Sequence, residues 1–261
     1  MGGEIPPNHN WTRKHHARFY GTIILLTEEL TMRPVQIARN YLKNPDGSCL
    51  ISFGNTQVIC TASIDPRGVP PFLVGTGQGW ITAEYAMLPG STPGGRKKRE
   101  FQKRDGRSTE IQRLIGRSLR AAVDMKLLGE VSITIDCDVL QADGGTRTAS
   151  ISGGWVALHD ALRVVAKEQG KSGPDFYLLG QVAAVSAGLV DGNIVCDLDY
   201  KHDSRAEVDM NVVKQGAQLV EVQGTGEHGT FNRDQLNALL DAADQGIEVI
   251  YRVQRESLEI G

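Results

Sequence analysis

Three short stretches of this 261-residue chain hold side chains whose types and spacing could do chemistry. The first, Asp143-Gly144-Gly145-Thr146-Arg147-Thr148, stands between an apolar run, Val131–Ile135, and a helical pattern carrying Trp155, Leu158, Leu162 and Val165. Amide groups at a helix start point outward without partners, and the helix dipole favours an anion there. Glycines let the backbone come close, while Thr hydroxyls and an Arg fork suit phosphate oxygens. A plain glycine-rich turn with a capping Thr would read the same in isolation.

The second stretch is GGRKKREFQKRDGR, residues 94–107. It holds Arg96, Lys97, Lys98, Arg99, Lys103, Arg104 and Arg107 against Glu100 and Asp105, in a chain whose formal net charge is −3. A solvated charge run is the ordinary meaning of such a segment. The alternative is a contact strip for a phosphate backbone, with Phe101 available to stack on a base. The third stretch runs from Asp197 to Asn211 and includes Asp197, Asp199, Asp203, Glu207 and Asp209 among strand-like apolar residues. Carboxylates a few residues apart suit Mg²⁺, which takes a few carboxylates plus phosphate oxygens and water. A surface acidic hairpin is the bland alternative. Together, a cradle for a small anion, a basic strip for a polyanion and carboxylates for a metal are the parts of phosphoryl transfer on a nucleic acid.

The elements that must position these residues mix strands and helices. Gln57–Ile64 reads as a strand rich in β-branched residues, and Trp80–Tyr85 follows a glycine loop at 75–79. Ile111, Leu114, Ile115, Leu119, Ala122 and Val123 recur at helical steps, with Ser108 placed as the N-cap. A second helix is expected over about 150–168 and a last one near 233–253. Between them, strands are expected at Val182–Val190 and Gly192–Leu198, joined by an Asp191-Gly192 hairpin turn, and again at Val208–Val213 and Gln218–Gln223. No Pro/Ser-rich linker interrupts the chain after residue 32, which points to one α/β domain over 32–261 behind a dissimilar arm, 1–31.

Composition is that of an ordinary globular chain, 40% hydrophobic and 23% charged. The four cysteines form no C-x-x-C pair, so buried, reduced thiols in a cytoplasmic protein are expected. The longest apolar run near the N-terminus, Ile23–Leu26, is too short for a signal core or a membrane span. One motif is a decoy. Gly224-Thr225-Gly226-Glu227-His228-Gly229 matches the dinucleotide pattern, but the helix after it runs nearly to the C-terminus and leaves no room for the strand that would hold a ribose.

Longer runs carry a resemblance. LISFGNTQVICTAS (50–63), GVPPFLVGTGQGWITAEYAMLP (68–89), RSTEIQRLIGRSLRAAVD (107–124), ITIDCDVLQADGGTRTASISG (133–153), DLDYKHDSRAEVDMNVV (197–213) and LVEVQGTGE (219–227) resemble the ribonuclease PH family, in its order, from about Arg33 to Ile250. The resemblance implies an α/β fold of the ribosomal-protein-S5-domain-2 type, assembled as a homohexamer, a trimer of dimers. It implies phosphate-dependent trimming of tRNA precursors beyond the CCA end, with nucleoside diphosphates released, and action on rRNA 3′ ends. By similarity, Arg107, Gly145, Thr146 and Arg147 bind the attacking inorganic phosphate. Asp203 and Asp209 match an acidic pair taken to bind Mg²⁺ or move a proton, and Arg96 and Arg99 match tRNA-contacting arginines.

Three departures accompany it. Residues 1–31 lack the family's opening arginine-rich segment, Gly90 stands where the family has arginine, and the basic loop differs in length around Glu100. A non-catalytic ring subunit that only binds RNA is the competing reading. Such a subunit would be free to lose the phosphate and metal residues, all of which this chain keeps. A kinase of related fold would need its own ATP loop, and the only candidate is the decoy.

Overall fold

The computed structural model describes residues 32–65, 68–98 and 105–260. The expected arm and Arg99 therefore lie outside the described residues.

Two sheets and a central helix make the frame. The first sheet has β1 (Val35–Arg39), β2 (Gly47–Phe53), β3 (Thr56–Asp65), β4 (Trp80–Met87) and β5 (Ser132–Gln141), in the order β1-β2-β3-β5-β4. All its neighbours are antiparallel except β4 and β5, which run parallel because α1 (Gly106–Ala121) and the short α2 (Met125–Leu128) form the connection between them. On β3 the buried set Thr56, Val58, Cys60 and Ala62 alternates with half-exposed residues, so one face looks inward.

The second sheet is antiparallel, in the order β7-β6-β8-β9, from β6 (Val182–Val190), β7 (Asn193–Cys196), β8 (Val208–Gln215) and β9 (Gln218–Thr225). Asp191 and Gly192 make the β6–β7 turn with φ of 51° and 76°, the left-handed pair that a two-residue hairpin requires.

Between the sheets lies α3 (Thr146–Glu168), buried around most of its circumference. Two glycines let it come close. A Cβ on Gly153 would stand 2.7 Å from Ile51 and 2.8 Å from the Cys60 sulfur, and one on Gly154 would stand 3.2 Å from Leu119. Cys49, Cys60 and Cys137 face α3 from three adjacent strands, and all four cysteines are buried as free thiols. Arg39 ties β1 to this helix through a forked pair with Asp160, at 2.7–3.0 Å. The last helix, α5 (Arg233–Leu258), packs on β6, which explains why β6 is buried at every position. One apolar cluster runs through both sheets and these helices. Among the described residues no helix is long and apolar enough to cross a membrane.

Two boundaries that bear on the pocket differ from the sequence reading. The N-cap of α1 is Asp105, whose carboxylate accepts from the Arg107 amide at 3.3 Å; Ser108 is buried inside the first turn. Apolar periodicity starts only at Ile111 and so could not register this polar turn, yet Asp caps as well as Ser. Likewise α3 begins at Thr146 rather than near 150, so the glycine pair abuts the helix directly.

Candidate functional site

The loop before α3 is built by constraints from both sides. Gly144 and Gly145 take φ of 73° and 66°, a region open to glycine and costly for other residues. A side chain on Gly144 would also run into the Leu198 carbonyl and the Asp199 backbone, and one on Gly145 would meet the Arg33 guanidinium at 3.1 Å. Thr56 pins the loop from β3, accepting from the Asp143 amide at 2.9 Å and donating to the Gly144 carbonyl at 2.6 Å. Asp143 in turn accepts from Asn55 at 3.1 Å and from the Tyr200 amide at 3.3 Å.

Beneath the loop, Arg33 is spent on structure. It grips Asp197 through Nε at 2.8 Å and Nη2 at 2.6 Å, and donates from Nη1 to the Asp143 carbonyl at 2.5 Å. The Asp197 side chain is fully buried. The N-cap of α3 is Gly145, which has no side chain to cap it, so the first amides of that helix are of the kind that suits an anion. Thr146 Oγ1 shares a 2.9 Å hydrogen bond with Tyr85, whose hydroxyl pKa is raised, chiefly by burial. Tyr85 thus stays protonated and is able to donate, which frees the Thr146 proton for an anion.

An open pocket of about 480 Å³ lies above this floor. Arg107, Gly145, Thr146, Arg147, Asp203 and Asp209 all line it, although they come from the first turns of α1 and α3, the short helix α4 (Tyr200–Asp203) and the start of β8. Thr92, Lys97, Ser186, Tyr200 and Asn211 add further polar lining, and Met87, Pro93 and Ala142 are apolar wall. Arg96 is exposed and outside this lining, one residue from Lys97.

Charge is divided across the pocket. Burial, then the neighbouring Asp203 carboxylate, push the Asp209 carboxyl up to about 6, against the pull of Arg147 and Arg107. Asp203 is raised as well, first because the walls withhold water from it; Arg107 and Arg147 offset part of that rise. Two such carboxylates beside the Asn211 amide form an oxygen donor set that fits a hard cation. Among the described residues no three His, Cys, Asp or Glu side chains surround a metal position, so such an ion would take most of its ligands from water and phosphate.

Of the five acidic residues in the third stretch, only Asp203 and Asp209 line the pocket. Asp197 pairs with Arg33, Asp199 caps α4 by accepting from the His202 amide at 2.8 Å, and Glu207 stands between the two pocket carboxylates without lining the pocket. Sequence reasoning missed Arg33, Thr56, Tyr85 and Asn211. The decoy glycines form a tight turn: a Cβ on Gly226 would collide with the Gly229 carbonyl.

The fold and pocket define a class before they define a protein. The pattern of the 3′ exoribonuclease family, domain 1, matches residues 31–163, and that of domain 2 matches residues 180–246. Among solved structures, rice Rrp46 superposes with a TM-score of 0.69 at 15% identity, covering 87% of this chain and 96% of that one. A chain of the Archaeoglobus fulgidus exosome, solved with RNA bound to the active site, superposes with a TM-score of 0.70 at 21% identity, covering 87% and 89%. At those identities the likeness is one of fold.

Sequence relatives narrow the class. Ribonuclease PH of Corynebacterium diphtheriae is 56% identical over 229 residues, 87% of this chain and 94% of that protein. Ribonuclease PH of Corynebacterium kroppenstedtii is 55% identical over 229 residues, 87% and 89% of the two chains. The chain belongs to the ribonuclease PH family, the phosphate-dependent 3′-to-5′ exoribonucleases.

Proposed function

We propose that the pocket holds inorganic phosphate on Arg107, Arg147, the Thr146 hydroxyl and the amides at 145–147, and turns it on the 3′ end of a tRNA precursor. The observation that carries this reading is the convergence of Arg107, the Gly145–Arg147 helix start, Asp203 and Asp209 on one pocket.

Phosphate is a poor nucleophile toward another phosphate because like charges repel. Two guanidinium groups and a helix N-terminus neutralise and orient it. An oxygen of the bound phosphate forms a bond to the phosphorus of the last phosphodiester. The bond from that phosphorus to the 3′-oxygen of the preceding nucleotide breaks, and this oxygen leaves with the proton that hydrogen phosphate brought in. The products are a nucleoside 5′-diphosphate and an RNA one residue shorter. A phosphodiester is exchanged for a phosphoanhydride, so the reaction runs back readily and adds nucleotides from diphosphates. Asp203 and Asp209 would hold Mg²⁺, which when bound supplies positive charge at the reacting phosphodiester.

Tyr200 is 54% exposed at the pocket and offers a ring face to the terminal base, while Arg96, Lys97 and Arg99 suit the RNA backbone. A homohexamer, as a trimer of dimers, belongs to the same reading. Phe72, Val74 and Leu179, each more than 60% exposed, are apolar surface that assembly would cover. Native mass spectrometry tests the six-subunit mass.

The decisive experiment incubates a tRNA bearing extra 3′ nucleotides with the protein and Mg²⁺, with and without phosphate, and resolves the products by chromatography. Nucleoside diphosphates that require both phosphate and Arg147 are expected. Monophosphates released without phosphate would make the enzyme a hydrolase. Binding without trimming would leave a silent ring subunit.

A further inference from the structure

The Arg147 guanidinium emerges from the first turn of α3, and both α1 and β9 reach it. Gln223, on β9, accepts a hydrogen bond from Arg147 Nη1 through Oε1 at 3.3 Å. Glu110, one turn of α1 beyond Arg107, approaches Nη2 at 3.6 Å. An amide side chain fits among its neighbours either way round unless they discriminate, and here they do. Gln223 Nε2 donates to Glu221 Oε1 at 2.9 Å and to Glu110 Oε1 at 3.3 Å. Both are carboxylate acceptors, which only the NH₂ end can satisfy. Oε1 is therefore turned toward Arg147.

Glu221 is itself held. Arg117, two turns further along α1, clamps it through Nε and Nη2 with contacts of 2.8–3.1 Å. This charge-assisted fork raises the Arg117 pKa, its hydrogen bond to Glu221 being the largest cause. The result is a chain in which Arg147 donates to Gln223 and both Gln223 and Arg117 donate to Glu221, and it crosses between the two matched parts of the molecule. Arg117 and Arg147 lie in residues 31–163, and Glu221 and Gln223 in residues 180–246.

We propose that Gln223 is a positioning residue for Arg147. It occupies one edge of the guanidinium, fixes the plane of the fork, and leaves the remaining donors aimed into the pocket for phosphate. Glu221 and Arg117 hold the amide in the orientation that does this. The assignment rests on the reading of Arg147 as a phosphate ligand. Without Gln223 the long Arg147 side chain keeps, among the described residues, the loose Glu110 contact, and a carboxylate there competes with phosphate for the same charge.

The test is Gln223→Leu, which keeps the side-chain size and removes both polar ends. KM for phosphate should rise about tenfold while kcat at saturating phosphate changes less than about twofold. RNA affinity and melting temperature should stay as in the parent. Thermal protection by inorganic phosphate alone, without RNA, should shrink in parallel. Glu221→Gln, whose Oε1 is still able to accept from both Arg117 and Gln223, should recover most of the parent's phosphate KM, whereas Glu221→Ala should not. An unchanged phosphate KM in Gln223→Leu, or a rise matched by equal losses in RNA affinity and melting temperature, would overturn the assignment. If the parent protein releases no nucleoside diphosphates, the reading of the reaction fails instead. The phosphate protection experiment then still decides whether Gln223 governs anion binding at Arg147.

Discussion

Replacing Arg33 by Met should unfold the floor of the pocket before it touches the chemistry. Arg33 is only 15% exposed and Asp197 is wholly buried, and the two meet through paired contacts of 2.8 Å and 2.6 Å. Arg33→Met preserves most of the stem and its packing while deleting the guanidinium. The carboxylate of Asp197 is then left in the interior with no cation, and the Asp143 and Leu198 carbonyls lose their donor. Breaking a buried pair from one side costs about 3–5 kcal/mol. Urea unfolding followed by tryptophan fluorescence, at one fixed protein concentration, measures it. The double variant Arg33→Met with Asp197→Asn should recover most of the loss, because no charge is then stranded and Asn accepts the left-handed backbone found at Asp197, φ 61°. A loss below about 1 kcal/mol in the single variant would refute the reasoning, since that is the scale of an exposed pair. A double variant as weak as the single would show that the loss was packing, not charge.

Three further outcomes follow from the same geometry. Burial raises the Asp160 carboxyl, but the His159 ring and the Arg39 guanidinium outweigh it, and its net pKa lies below the ordinary value. The stability from the Arg39–Asp160 pair should therefore be complete above the ordinary Asp value of about 4 and fade as pH falls through the depressed one; Arg39→Met should flatten that part of a stability-versus-pH curve. Asp203→Asn combined with Asp209→Asn should lower phosphorolysis on the order of a hundredfold or more while thermal protection by phosphate persists; equal loss of both would place these residues in the phosphate site itself. Arg96→Ala with Arg99→Ala should weaken tRNA more than a short oligonucleotide and reduce the salt slope of tRNA binding by about two. Equal losses on both RNAs would remove the case for a tRNA-contacting strip.

Local chemistry was legible along the chain. The Asp191-Gly192 turn, the helical steps from Ile111 and the strand at Gln57–Ile64 are set by backbone preference and by burial of one face, which neighbouring residues express on their own. The loop before α3 was legible for the same reason: Gly144 and Gly145 take the left-handed backbone that sets up the helix start carrying Thr146 and Arg147. Long near-verbatim runs carried the family. What local pattern could not register were polar residues with no period, such as Asp105 at the start of α1 and the first turn of α3.

Only the tertiary structure decided which charged residues meet. Asp197, Asp199, Asp203 and Asp209 look alike in a row, yet one is a buried counter-ion, one a helix cap and two are pocket carboxylates. Arg33 lies 164 positions from Asp197, and Gln223 lies 76 from Arg147. Such partners are brought together by packing two sheets on α3, and the energy of their pairing depends on burial and distance, neither of which a sequence of neighbours records.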